Sequence, residues 1–432
     1  MLRPQLSLLP LLLIALFALV SSNPVKAQED LTYSKQAAEA RALAKKNGIP
    51  LSLAEIPKRN VPDASNAVTY LRQLQALTKT KPLNEKDTKF LWDEWLTASL
   101  PTPQQIQRAR QIITSRSDIM RVVDKIVVCD QYYIPITLTK LSPTIPMPED
   151  NFPLQATMRS VARWTAAKTL LLLAEGKEQE AVAYQAQGLH LTKIAQQDPS
   201  SAGAVVANVV DRIVISRIKQ TLFRAGEHPG IAKSVASTIP PYNVASLGKV
   251  IDYEVASVFG MVEATRNQAK TQKQSKEILK AVQLMTKKYH YPTDPDKAAQ
   301  RFINANEINL IQKALVLKSA VNAPYYQSLP KGFPTLQDLE KGDSNPDVTF
   351  AYSNLSNLLS LRTYTTLSLA NRLVVQVGAQ VLAWKVEHGK YPNSLAEMTP
   401  QVPLDPFDGK PLRYRKEATG FVVYSVGEGK TF

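Results

Sequence analysis

Apolar positions recur every three or four residues through most of this chain, and prolines or glycines fall where the pattern stops. That period marks one face of an α-helix. An alanine-rich segment from Leu31 to about Lys46 is predicted helical and ends at Asn47-Gly48-Ile49-Pro50. A second helix is predicted from about Ser65 to Leu77, and a third around Phe90, Leu91, Trp92 and Trp95. Thr102-Pro103 opens another through Ile106, Ala109 and Ile113, continuing toward Cys129. There threonine caps the first turn and proline is pre-set for it. Met158–Ala174, Glu178–Gln196 and Ser200–Arg224 read as three central helices, the first two turned at Glu175-Gly176-Lys177. Pro240-Pro241 ends that block. Val244 to about Lys288 reads as one long helix, and Asp294-Pro295 opens the next, to about Val321. A last long helix is expected from Asp347 to His388, with Leu369, Leu373, Val377, Val381 and Trp384 on one face.

The pattern changes after His388. Gly389 can take the left-handed conformation that closes a helix, and the Tyr391-Pro392 step leaves the helical region. Ser394 and Glu397 have capping-box spacing, so a short helix is expected from Leu395. Asp405-Pro406 and Asp408-Gly409 are turn formers. Leu412–Arg415 and Phe421–Val426 then read as strands joined by Glu417–Gly420 as a hairpin. Strands and helix stripe can bury each other as a small α+β unit.

This tail resembles the C-terminal part of the major pseudopilin, protein G, of type II secretion systems. The resemblance rests on Gly389, Tyr391 and Pro392, on Asp405, Pro406, Phe407, Gly409, Pro411 and Tyr414, and on Tyr424, Ser425 and Gly427. Asp408 is one residue more than the family's turn holds. The resemblance implies the helix-and-hairpin fold. It does not bring the family's calcium, because Glu428 is the only carboxylate of the final stretch and calcium takes about six to eight oxygens. Nor does it bring pilus assembly, since the family's hydrophobic N-terminal helix lies directly before the module and here the rest of the chain intervenes. The central hairpin at Gly176 is similar to one tetratricopeptide unit, but no ~34-residue period follows, so it reads as ordinary helix packing.

The fold class expected is therefore mostly α, a multi-helix body ending in a small pseudopilin-like α+β module. The expected divisions are a leader at 1–27, a helical region at 28–134, a proline-rich connection at 135–153, a central helical domain at 154–323, a linker at 324–346 and the module at 347–432. Arg3, the apolar run from Leu6 to Val20 and Val25-Lys26-Ala27 have the anatomy of a signal peptide cleaved after Ala27. The run is shorter than the ~20 residues that span a bilayer. Export to the periplasm or beyond is expected, with no transmembrane span after cleavage. An apolar fraction of 44% fits a packed globular chain. The single cysteine, Cys129, excludes an intramolecular disulfide and reads as a small buried residue.

Net charge is +15, from 52 basic and 37 acidic residues. It favours anionic partners. Arg266, Lys270, Lys273, Lys276 and Lys280, with Lys287 and Lys288 beyond, are spaced to share a helix face and could meet a phosphate-bearing surface. The aromatic residues that nucleic-acid grooves interleave are missing there, so no nucleic acid is expected. The plainer reading is a solvated face. His290, Asp294 and Asp296 are close, yet Asp294 is already a helix cap and no second histidine is near, so no metal or cofactor is expected. His388 sits at a helix C-terminus, where a cation is favourable. His190 lies between Leu189 and Leu191 and reads as half-buried.

No nucleophile elbow, zinc-protease helix, phosphate loop or dinucleotide fingerprint occurs. These absences point away from an enzyme and toward an exported scaffold or interaction protein of the envelope, related to type II secretion or pilus-like systems, with an envelope or secretion protein as partner. The alternative is an envelope hydrolase acting on cell wall or polysaccharide through paired carboxylates, whose members need not be neighbours in sequence.

Overall fold

A computed structural model describes residues 31–98, 100–134, 151–224, 229–270, 272–285, 292–327, 349–399 and 401–428. The expected leader, most of the proline-rich connection, His290, Lys287 and Lys288, and most of the expected linker lie outside them. The α-helices are α1 (Leu31–Lys46), α2 (Ala67–Thr80), α3 (Glu85–Lys89), α4 (Pro103–Ser115), α5 (Ser117–Ile126), α6 (Asn151–Ala174), α7 (Glu178–Ala195), α8 (Ser201–Arg224), α9 (Pro229–Thr238), α10 (Ser246–Gln268), α11 (Gln272–Met285), α12 (Pro295–Asn322) and α13 (Thr349–His388). Two strands follow, β1 (Arg413–Lys416) and β2 (Phe421–Tyr424). The chain is mostly helical, with a two-stranded antiparallel sheet near its C-terminus. No described helix is long and apolar enough to cross a membrane.

Helix ends follow local chemistry. Thr102 accepts from the Gln105 N–H while the Gln105 side chain accepts from the Thr102 N–H, with Pro103 first in the helix. Asp294 accepts from the Lys297 N–H at 2.9 Å before Pro295. Gly48, Gly176 and Gly389 turn the chain with φ of 62°, 74° and 70°. Two expected helices are broken. The one expected from Thr102 toward Cys129 bends at Arg116, whose guanidinium donates to the Lys81 carbonyl at 2.6 Å. The bend turns Ile112 and Ile113 of α4, and Ile119, Val122 and Val123 of α5, into one core. The stretch from Val244 splits into α10 and α11, and both pack on α12.

Among the described residues, four larger apolar clusters organise the chain, with a small fifth at Leu53, Tyr253 and Ala256. The first joins α2, the segment Phe90–Trp95 and α4 through α8, with Trp95 buried and its Nε1 donating to the Ala167 carbonyl at 3.1 Å. It draws on both sides of residues 135–150. The second joins α10, α11 and α12 with α1 and with Leu358 and Leu361 of α13. The third joins α7, α8 and α9 with Val375 and Ala379 of α13. In the fourth, Val377 and Val381 of α13 bury Leu395, Leu412 and the inner face of the hairpin. One helix thus contributes to three clusters, and of the expected stripe Val377 and Val381 are its buried centre. Leu369 and Trp384 are half-buried, the latter with its ring 3.7 Å from that of His388.

Polar groups tie α13 to the body. Arg372 donates through Nε to Asp211 on α8 at 2.7 Å, with side chains 5% and 1% exposed. It also donates to the Pro240 carbonyl at 2.9 Å. Ser368 and Tyr242 both donate to Asn208 Oδ1 at 3.0 Å. Burial pushes the Asp211 carboxyl up to about 6, against the pull of Arg372. A folded value above the ordinary one means that the native state holds the proton more tightly than the unfolded chain. The contribution of this carboxyl to stability therefore falls as pH rises from about 4 to about 6.

Replacing either Asp211 or Arg372 by alanine is expected to cost about 3–5 kcal/mol in urea unfolding, because an unpaired charge stays buried. The double variant Asp211→Leu/Arg372→Met should recover most of it. Single losses below about 1 kcal/mol, the range of exposed pairs, would contradict this packing.

Candidate functional site

The C-terminal module is organised around one carboxylate. Asp405 is fully buried. Its Oδ1 accepts from the Phe407 N–H at 3.0 Å and from Ser425 Oγ at 2.9 Å. Its Oδ2 accepts from the Val426 N–H at 2.8 Å and lies 3.4 Å from the Arg413 guanidinium. Its own backbone bonds Lys410 and Gly409, closing the turn that holds Pro406 and Asp408. Asp408 pairs with Arg413, which holds its carboxyl below the usual aspartate range. A guanidinium thus supplies the positive charge between two carboxylates. Gly409 has φ of 71°, and a Cβ there would stand 2.8 Å from the Tyr326 ring.

The other motif residues complete the same unit. Tyr414 donates to the Pro392 carbonyl at 2.7 Å, and Tyr391 packs on Phe421 with ring centroids 5.3 Å apart. Pro411 bridges back to Leu404. Gly427, at φ 68°, donates to Ser425 Oγ at 3.2 Å. The strands run Arg413–Lys416 and Phe421–Tyr424, displaced by a residue at the start and shorter at the end than the pattern predicts, and the Glu417 N–H meets the Gly420 carbonyl at 2.9 Å. Ser394 makes no capping bond. Instead Glu397 accepts from the Asn393 N–H and side chain at 2.9 and 3.1 Å, and a single turn of 3-10 helix, Leu395–Glu397, replaces the expected short helix. Three residues give too few repeating bonds to make an α-helix.

The module also leans on the body. Phe407 meets Tyr325 edge-on at 5.0 Å, and Tyr325 shares a hydrogen bond with Thr363 of α13 at 3.0 Å. Arg362 stacks over the Tyr325 ring and donates to the Pro324 carbonyl at 3.0 Å.

The basic face is divided. Arg266 turns inward on α10 and pairs with Glu263 and Glu307. Lys270 lies past the end of α10, while Lys273, Lys276 and Lys280 line the exposed face of α11, where Lys280 pairs with Glu277 at 3.3 Å. The spacing gave no sign that the helix would break between them. Cys129 is buried, donates to the Lys125 carbonyl at 3.2 Å and is pushed up by burial. His190, distant in sequence, bonds the Cys129 backbone carbonyl at 2.8 Å and not its thiol. His388 bonds the Trp384 carbonyl at 3.0 Å. Asp294 caps α12, and Asp296 lies in its first turn.

Three charged clusters were not foreseen. One is Asp211–Arg372. The second is Glu307, fully buried between Arg41 and Arg266. The third is Asp198 with Glu254. Asp198 accepts from Ser200, Gln155 and Tyr132, while Glu254 accepts from the Ser201 N–H at 2.6 Å. Burial raises the Glu254 carboxyl, and the charge of Asp198 adds to that. Gly203 leaves the room Asp198 fills, since a Cβ there would lie 2.2 Å from its Cγ. A lone acid within Val209-Val210-Asp211-Arg212-Ile213-Val214 is the one sequence signal such sites left. Among the described residues no group of histidine, cysteine and carboxylate side chains could hold a metal ion. A cavity of about 10 Å³ between Leu247, Ile251, Leu317, Leu358 and Arg362 has room for one water at most.

No protein-family model matches this chain, and no curated protein or solved structure matches it.

Asp405→Ala should unfasten the module, at a cost of about 3 kcal/mol for the lost charged hydrogen bonds. Hydrogen exchange is expected to quicken across residues 404–426 and stay unchanged in α6–α8. Acid acts likewise on Asp408: a lowered carboxyl contributes stability that is lost as pH falls below about 4. A chelator should leave module exchange unaltered; faster exchange with chelator would overturn the cation role of Arg413.

Proposed function

We propose that this chain is an exported, non-enzymatic scaffold of the cell envelope, related to type II secretion or pilus-like systems. Its helical body holds out the C-terminal hairpin as a docking element for an envelope or secretion protein. The observation that carries this reading is the double role of α13. Its middle is locked into the body by Arg372 and Asp211, and its last turns support the hairpin. A partner bound to the hairpin would therefore be held at a fixed position relative to the body.

The pairing register puts Tyr414, Lys416, Phe421 and Val423 on the face toward α13, and Arg413, Arg415, Val422 and Tyr424 on the other. The second face is the docking surface in this reading. Envelope extract passed over the wild-type chain and over Val422→Glu/Tyr424→Ala should give a partner retained by the first and lost from the second. An identical set of retained proteins would remove the docking role.

Glu254 favours a second reading, an envelope hydrolase. A carboxyl raised by burial beside another carboxylate is the arrangement that separates acid from base in paired-carboxylate catalysis. In that case Glu254→Gln should lower release of fragments from cell-wall polymer by about 100-fold or more with an unchanged unfolding midpoint. Absence of release by the wild-type chain would end it.

A further inference from the structure

α1 packs far from its neighbour in sequence. It lies against α12 and the second cluster, whereas α2, next along the chain, belongs to the first. The segment after α1 stays with the same partners. Lys318 of α12 donates to the Gly48 carbonyl at 3.3 Å, and Leu53 and Ile56 pack on Tyr253 and Ala256 of α10. From Pro57 to Pro62 the chain then crosses to the first cluster, mostly exposed. Among the described residues, 57–61 make no backbone–backbone hydrogen bond. Arg59 anchors the crossing, donating to the Tyr132 carbonyl at 2.7 Å.

Among the described side chains α1 buries Ala37, Ala40 and Ala44, and Ile49 is buried in the turn that follows, while Leu43 is exposed. Beneath it Glu307 is fully buried and Glu263 stands beside it. Arg41 serves both, at 2.9 Å from Glu307 Oε2 and 2.5 Å from Glu263 Oε1, and lies over the Phe259 ring. Without Arg41, the buried Glu307 and the partly exposed Glu263 would share, of the ion pairs among the described residues, the one to Arg266. A buried carboxylate left short of partners is costly, and Glu307 is that group. The groove under α1 therefore calls for an arginine-bearing helix, but nothing in the contacts requires that helix to come from the same chain.

We propose that residues 31–56, α1 with its following turn, exchange between two copies of this chain. Each copy's Arg41 then completes the Glu263–Arg266–Glu307 cluster of the other, and residues 57–62 are the hinge. The same contacts are remade across the pair, which is what makes such exchange inexpensive. The linkage adds a second copy of the chain to the partners of a scaffold without using the hairpin.

The test uses Gln28–Phe432 carrying Cys129→Ser, Ser34→Cys and Asn304→Cys, since Ser34 Oγ and Asn304 Nδ2 are 3.3 Å apart. Nitrogen-15-labelled and unlabelled copies are mixed, unfolded, refolded at sub-millimolar concentration and oxidised. Light scattering should report a doubled mass, and peptide mapping should find 34–304 disulfides that join labelled to unlabelled chains. The same mass doubling is expected of the unsubstituted chain refolded in parallel. A single mass from micromolar to sub-millimolar concentration, with every 34–304 link inside one chain, would overturn the exchange. So would a dimer whose 34–304 links are all within one chain, because it would have formed through another face.

Discussion

A guanidinium and a carboxylate buried together between α8 and α13 settle how the two ends of this molecule relate. Arg372 has its Nε on Asp211, another donor on the Pro240 carbonyl and its face over Tyr242. Neither charge can return to water without moving α13 out of the body. That constraint makes the last long helix a structural member of the body as well as the support of the hairpin. The apolar contacts of α13 with α8 and α9 follow the same line, through Val375 and Ala379. Burial of apolar area supplies the bulk of such packing, and a buried pair adds orientation more than stability.

The described interior holds several carboxylates, and their partners tell them apart. Asp211 and Glu307 meet arginines, Asp198 and Glu254 meet the Ser200 and Ser201 amides where α8 begins, and Asp405 meets amides, a hydroxyl and an arginine inside the module. Each is held by donors from the chain itself. This supports a structural role for most of them. Burial outweighs the donors of both Asp211 and Glu254, but Asp211 meets an arginine whereas Glu254 is held by the Ser201 amide with the charge of Asp198 nearby.

The module resolves a tension in its own sequence. Its turn carries two acidic residues, Asp405 and Asp408, close together, and like charges at that distance repel. Arg413, the first residue of β1, reaches both and removes the conflict. The turn is then free to close around Gly409, against Tyr326 of the preceding segment.

Helix order was legible in the residues because caps, glycine stops and a three-to-four period are local properties. Thr102-Pro103, Asp294-Pro295 and Gly389 mark ends that the structure keeps. The hairpin was legible for the same reason, through alternation and turn chemistry between Asp405 and Val426. The breaks at Arg116 and after Gln268 were not, because continuing apolar periods hid them; which way a helix turns depends on the core it must face. Ser394 does not cap, since the Glu397 N–H meets the Ser394 backbone carbonyl in a tight turn while Asn393 donates to the Glu397 carboxylate. Arg266 looked like the head of a basic stripe, yet Glu307, distant in sequence, draws it inward. The amino-acid order by itself determined the capped and glycine-stopped helix ends and the hairpin that follows the last long helix. Only the tertiary structure decided which charges meet, since an ion pair depends on distance through space, and folding brings together residues such as Arg41 and Glu307 that no local pattern connects.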